Sequence, residues 1–234
     1  MNVHTHPPKP LCFWQQNVNK SLTSQLNLLN HADPKLFDFI FIQEPHIDFL
    51  NLTRANHHWT VIYPMPHHST PKTMCSVMLV SSKMSKNKWK QIHIQSNDVT
   101  AVEVMGNCGP VTFYNVYNAC ENADTLHRLQ EFWTCHHPPH QNNNAGTMVW
   151  LGDFNRHYPL WDDLTNTQLL TNANLEAVSV LVDLIGTFNM DMALPAGIHT
   201  IETFRTGNLS RPDNIFCSTS LSWSFIECYT KPEF

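Results

Sequence analysis

The stretch Met148-Val149-Trp150-Leu151-Gly152-Asp153-Phe154-Asn155-Arg156-His157 constrains the fold of this chain more than any other. A short unbroken apolar run containing Val and Trp and closed by Gly reads as a strand covered on both faces, so layers are needed above and below it. Asp153 then emerges at the strand's C-terminal lip. Alternation along an extended chain would put Asp153 and Asn155 on one side and turn Phe154 back into the core. Gly152, lacking a Cβ, would leave room for a bulky anion to approach the backbone just before the carboxylate. The plainer reading is a strand followed by an Asp/Asn turn.

A chain of 234 residues can bury one substantial core, and we expect one domain over residues 11–234 after a flexible lead-in, 1–10, that holds three prolines. Hydrophobic residues make up 42% and charged residues 14%, too apolar a mixture for a disordered chain. Its longest apolar stretches, Phe39 to Ile42 and Val178 to Val182, are far too short to cross a bilayer, so no membrane is expected. Met1 to Pro8 has neither a cationic flank nor an apolar h-region, which implies an intracellular protein without a secretory signal. Seven scattered cysteines argue against a disulfide framework or structural zinc and read as free, mostly buried thiols. A net charge of -5 points away from broad polyanion binding, so any nucleic-acid contact must be local. The one basic cluster, Lys83, Lys86, Lys88 and Lys90 around Trp89, reads as a solvated hairpin rim.

Along the chain, Leu11 to Val18 reads as a strand, and Leu22, Leu26 and Leu29 follow at the spacing of a helix face. Phe37 to Gln43 is a second apolar strand, ended by Glu44-Pro45. Short β-prone pieces then recur at Trp59 to Tyr63, Cys75 to Val80, Lys90 to Ile94, Val99 to Met105 and Val111 to Val116, the pattern of a mostly antiparallel meander. Asp124 is placed to cap a helix with Leu126, Leu129 and Trp133 facing inward. The tract Cys135 to His140 has prolines that break regular ligand geometry, so it reads as a polar loop running on through Gln141 to Asn144. Leu170, Ala173, Ala177, Val178, Leu181 and Leu184 fit a longer amphipathic helix closing at Gly186. Thr200 to Phe204, Asn214 to Ser218 and Trp223 to Tyr229 are further β-like pieces. This order of elements predicts two stacked sheets with helices outside.

Five strand ends carry related polar residues: Asn17, Glu44, Tyr117-Asn118, Asp153 with Asn155, and Asp213. With Gln43-Glu44-Pro45, Gly152 to His157 followed by Trp161, and Asn208-Leu209-Ser210-Arg211-Pro212-Asp213-Asn214 in this order, the chain from Leu11 to Tyr229 resembles the endonuclease/exonuclease/phosphatase superfamily, the DNase I-like fold. It is most similar to the apurinic-type endonuclease domain of non-LTR (LINE-type) retrotransposons. That resemblance implies an α+β, four-layered α/β sandwich of two packed mixed and antiparallel sheets flanked by helices.

It also implies metal-assisted phosphodiester hydrolysis, with Mg²⁺, or Mn²⁺ in its place, and duplex DNA as the partner. Glu44 matches the family's metal carboxylate and Asn17 the amide beside it. Asp153 matches the carboxylate that orients or deprotonates the attacking water, and Asn155 the amide on a phosphate oxygen. Tyr117 matches the tyrosine near the phosphate, although the usual Tyr-x-Pro-Asn is here Tyr117-Asn118-Ala119-Cys120. Thr200 stands upstream of the next acid, Asp213, whose usual task is to orient a histidine. The family supplies that histidine from a Ser-Asp-His or Thr-Asp-His triplet after the last strand, and no Asp-His pair follows Asp213 here. The resemblance therefore makes the chain a C-terminally truncated domain lacking its last strand and cutting weakly. His157 occupies the family's own Asn-x-His position, and neither it nor His199 is expected to substitute. In the parent element a reverse transcriptase domain would follow, and work on DNA would place the protein in the nucleus. A phosphatase of the same superfamily and a noncatalytic remnant are the alternative readings.

Overall fold

The computed structural model describes residues 10–106, 109–138, 146–163, 165–203 and 207–231. The lead-in and the stretch 139–145 lie outside these, apart from Pro10. Strand β1 (Phe13–Asn17) passes through helix α1 (Leu22–His31) into the parallel strand β2 (Phe39–Gln43). Strands β3 (Trp59–Ile62) and β4 (Ser76–Ser81) complete a four-stranded sheet in the order β1-β2-β4-β3. The chain then changes sheet. Strands β5 (Trp89–Ile92), β6 (Val99–Gly106) and β7 (Gly109–Tyr117) form an antiparallel meander. Helix α2 (Asp124–His136) crosses over to β8 (Thr147–Asp153), parallel to β7. After helix α3 (Asn172–Thr187) come β9 (Met190–Met192), the separate hairpin of β10 (Ile201–Thr203) and β11 (Asn208–Ser210), and β12 (Asp213–Ser218). The second sheet runs β5-β6-β7-β8-β12-β9.

Alternation inside the buried strands builds four layers, the sandwich that the resemblance implied. In β2, Phe39 and Phe41 join Phe113, Val149, Leu151 and Ile215 between the sheets, while Ile40 and Ile42 face Leu28 and Leu29 of α1. In β8, Met148 and Trp150 turn the other way, toward α2 and α3. The Trp150 ring lies parallel to Trp133 at 3.9 Å, sealing helix to sheet. Because both faces of β2 and β8 are covered, neither run shows a polar alternate.

Several sequence expectations are corrected by packing. The inward face of α1 is Gln25, Leu28, Leu29 and Ala32, whereas Leu22 and Leu26 are exposed. A buried polar residue hid the stripe: Gln25 satisfies the backbone of the loop after β2, donating to Arg54 O at 2.7 Å and accepting from His46 N at 2.8 Å. The α2 face is Leu126, Leu129 and Trp133 as expected, with Asp124 inside the helix and Ala123 at the cap. Helix α3 begins at Asn172, so Leu170 precedes it, and Ala173 and Ala177 are exposed. It also runs past Gly186, as Phe188 packs against Trp133 and Trp150. Trp223 to Tyr229 is not a strand: residues 219–224 form a short 3-10 helix. Phe225 and Cys228 plug the edge of the inter-sheet core instead of pairing. Of the six cysteines among the described residues none is in a disulfide and only Cys217 is buried, so they are not mostly buried as expected. Lys90 of the basic cluster pairs with Glu103 at 2.9 Å, and Lys83, Lys86 and Lys88 are exposed as a rim should be.

Gly152 has a different purpose from the one its spacing suggested. Its φ is +136°, and an added Cβ would lie 2.0 Å from the Val116 carbonyl oxygen, so the missing side chain serves the approach of β7 to β8 rather than a ligand. Gly152→Ala should lower unfolding free energy by about 3 kcal/mol, from strained φ and overpacking together. The urea midpoint measures this, and an unchanged midpoint would contradict the contact.

Candidate active site

The two parallel pairings align the C-terminal ends of β1 with β2 and of β7 with β8, and antiparallel β12 begins where β8 ends. Asp213 is thus the register partner of Asp153, which is also the partner of Tyr117. The predicted residues Asn17, Glu44, Tyr117, Asp153, Asn155, Thr200 and Asp213 gather at one lip of the sandwich.

Asn17 is the joint between the sheets. Its Nδ2 donates to Glu44 Oε1 at 3.1 Å and to Asp153 Oδ2 at 2.8 Å, while its Oδ1 accepts from Asn19 N at 2.8 Å. That last bond ties the amide to the turn after β1, while Ser21 caps α1. Glu44 sits at φ +46°, a left-handed conformation a glutamate rarely holds, and is fixed there by Glu44 N to Cys75 O at 2.9 Å and Lys20 N to Glu44 O at 2.7 Å. Asp153 Oδ1 accepts from Asn155 N at 2.9 Å. Simple alternation ends at Asp153: Asn155 turns to φ +50°, and its Nδ2 donates to Asn118 O at 2.8 Å. Asn155 therefore flanks the carboxylate by a turn of the backbone and not by sharing a strand face, while Phe154 does return to the core. Thr200 Oγ1 accepts from Asp213 N at 3.3 Å.

Electrostatics set this lip apart. Burial lifts the Asp153 carboxyl to about 7, the neighbouring Asp213 adds to the rise, and the Asn17 amide and Asn155 N–H oppose it. Burial also raises Asp213, against the pull of the Gln15 amide and the Thr200 hydroxyl. The Tyr117 phenol is raised well above its ordinary value by burial and then by Glu44, so it stays protonated and able to donate. Among the described residues the ion pair in this group is Lys20 to Glu44, at 3.9 Å. No cluster of three or more His, Cys, Asp and Glu there could cage an ion. A hard cation that keeps several waters needs only one or two carboxylates, and Glu44, joined to Asp153 through Asn17 and paired only distantly with Lys20, offers one.

Sequence reading missed the support of this site. Gln15 Nε2 donates to Asp213 Oδ1 at 2.7 Å and to Gln43 Oε1 at 2.6 Å. Gln43 in turn donates to Asn115, whose Nδ2 reaches Ile42 O at 3.1 Å and Val77 O at 2.8 Å. Ser76 Oγ extends the ladder to Asn115 O at 3.0 Å and to Thr100 Oγ1 at 2.8 Å. Polar residues inside otherwise apolar strands were the available signal. The arginines of the two motifs hold loops: Arg156 donates to Ala177 O at 2.9 Å and Asn155 O at 2.7 Å. Arg211, fully buried, donates to Asn214 Oδ1 at 3.0 Å and Leu194 O at 2.9 Å, so it does not pair with Asp213. His157 meets Asp162 at 3.3 Å and His199 meets Asp163 at 3.7 Å, which keeps both occupied with acids of the 157–163 segment.

No family model matches the sequence, and no curated protein does. Solved structures do. The endonuclease domain of TRAS1, a telomere-specific non-LTR retrotransposon, aligns over 91% of this chain and 87% of its own at 17% identity and a TM-score of 0.64. The catalytic domain of Xenopus laevis APE2 aligns over 90% of this chain and 83% of its own, at 14% identity and 0.63. An endonuclease/exonuclease/phosphatase family protein from Leptotrichia buccalis aligns over 89% and 88%, at 12% identity and 0.54. The chain has the endonuclease/exonuclease/phosphatase fold. Within this fold the seven residues sit on the connected lip described above, with the Gln15 ladder as its floor. Gln15→Leu strips the donor from a buried carboxylate and a buried amide oxygen, and should cost about 3 kcal/mol in urea unfolding. A variant as stable as the parent would show that Gln15 supports nothing.

Proposed function

We propose that this chain is a Mg²⁺-dependent endonuclease that nicks one strand of duplex DNA, as the target-cutting domain of a LINE-type retrotransposon does. The observation that carries this reading is the Asn17 amide bridging Glu44 and Asp153, with Asp213 in register beside Asp153. The likeness to a retrotransposon endonuclease domain and to the APE2 catalytic domain supports it.

Glu44 would hold Mg²⁺, or Mn²⁺ in its place, and Asn17 would join it through Oδ1 on turning its Nδ2 away from Glu44. When bound, the ion neutralises charge on the scissile phosphate and the leaving oxygen. Asp153, with its proton affinity lifted toward neutrality, takes a proton from the attacking water, since a base works best with its pKa near working pH. Water adds to phosphorus, the bond to O3′ breaks, and O3′ takes a proton from solvent, leaving a 3′-hydroxyl and a 5′-phosphate. An amide nitrogen has two hydrogens, so Asn155 keeps its bond to the Asn118 carbonyl and offers the other to a phosphate oxygen. Tyr117, still protonated, donates beside it. Thr200 and Gln15 hold Asp213 so that its carboxylate faces Asp153 and the lip. In an element of this kind the 3′-hydroxyl would prime a reverse transcriptase domain, and the nucleus is where the DNA target lies.

Incubated with supercoiled plasmid and Mg²⁺, the chain should convert it slowly to open circle, and Asp153→Ala should be slower by at least about 10². Equal rates for the two would end this reading. Mg²⁺ should also raise the melting temperature of the parent by several degrees while leaving Glu44→Ala unmoved, because an ion bound only by the native state stabilises it. Equal shifts in both proteins would remove Glu44 from the ion's site.

A further inference from the structure

The loop that leaves the lip at Glu44 carries an apolar tip fixed toward water. Phe49 and Leu50 are 81% and 61% exposed. Asp48 locks the turn beneath them: its Oδ1 accepts from Leu50 N at 2.8 Å and Leu52 N at 3.1 Å, and its N–H donates to Leu52 O at 2.9 Å. The base is pinned as firmly. Thr53 accepts from Gln25 Nε2 at 2.7 Å and receives a bridge from Ile47, and Thr53 N donates to Tyr63 Oη at 3.1 Å. A solvent-facing phenylalanine on so constrained a turn gains nothing for the fold, and the backbone entropy of the turn is already spent before any partner arrives.

We propose that Phe49 is a wedge that enters the minor groove of duplex DNA held at this lip and unstacks a base step beside the cut. This deepens the nuclease reading and rests on it. Phe49 stands five residues beyond Glu44, hence within about 17 Å along the chain, a few base pairs of duplex. Cationic groups border the loop where a phosphate backbone would pass: the Lys20 side chain is 61% exposed beside Glu44, and Arg54, 52% exposed, leans on Asp48 at 3.8 Å. Both ion pairs are long, 3.9 and 3.8 Å, and open to water on the cation's side, so a phosphate can draw either cation from its carboxylate at little cost. A narrow turn ending in one aromatic suits the minor groove, about 6 Å wide, where apolar side chains wedge between steps, whereas the major groove admits a whole helix.

A duplex carrying 2-aminopurine near the nick site reads unstacking as a rise in fluorescence. The parent chain should give that rise. Phe49→Ala should abolish it and raise KM for nicking about tenfold, the loss of one stacked base contact, with kcat little changed. Phe49→Trp should restore both, and Trp223→Ala, at an exposed aromatic away from the lip, should leave both as in the parent. An unchanged rise in Phe49→Ala overturns the wedge while leaving the nuclease reading intact. A parent chain that neither binds nor nicks the duplex overturns both. Binding of phosphatidylserine-containing vesicles that is lost in Phe49→Ala, without any fluorescence change on DNA, would assign the tip to a lipid surface instead.

Discussion

Asp153 and Asp213 are side by side on adjacent strands where little water reaches, 5% and 8% exposed, and much of the surrounding structure is arranged to keep them there. Two carboxylates buried together resist ionisation, and a fold tolerates them only if other groups donate hydrogen bonds to them. Asn17 and the Asn155 N–H serve one, and Gln15 serves the other. Both side-chain donors come from β1, a strand of the opposite sheet. The acidic pair is therefore a reason for the sheets to meet at this end in one register, and not merely a by-product of their meeting.

The inter-sheet space changes character along its length. Away from the lip it is filled by Phe39, Phe41, Phe113 and Leu151, whose packing is nondirectional. Toward the lip the apolar filling gives way to Asn115, Gln43 and Gln15, each bonded to the next. Directional bonds fix relative position where hydrophobic packing would permit sliding. The loops at the rim are held in a comparable manner by Arg156 and Arg211, whose guanidinium groups donate mainly to backbone carbonyls.

Much of this was legible in the chain itself. The buried strands Phe39–Gln43 and Thr147–Asp153 were readable because covering both faces removes polar alternates from a sequence. Leu126, Leu129 and Trp133 marked their helix face without ambiguity. The α1 face was misread because Gln25 is buried for its hydrogen bonds, and apolar periodicity has no way to register that. Trp223 to Tyr229 was misread because only Phe225 and Cys228 pack against the inter-sheet core while Trp223, Ile226 and Tyr229 face water, a division that sequence spacing does not describe. Gly152 was correctly singled out and wrongly explained, since the contact that requires it comes from Val116, far away in sequence.

By itself the sequence determined which residues end the strands and what chemistry they carry: an amide at Asn17, acids at Glu44, Asp153 and Asp213, a phenol at Tyr117. It also determined the layered architecture, because local apolar pattern dictates which faces must be covered. Only the tertiary structure decided that Asn17 joins two acids, that Gln15 holds the third, and that the two motif arginines serve loops instead of pairing with carboxylates. The reason is physical: apolar burial is additive and written locally, whereas a hydrogen bond needs a partner at a set distance and angle, and its partner here lies up to 198 positions away.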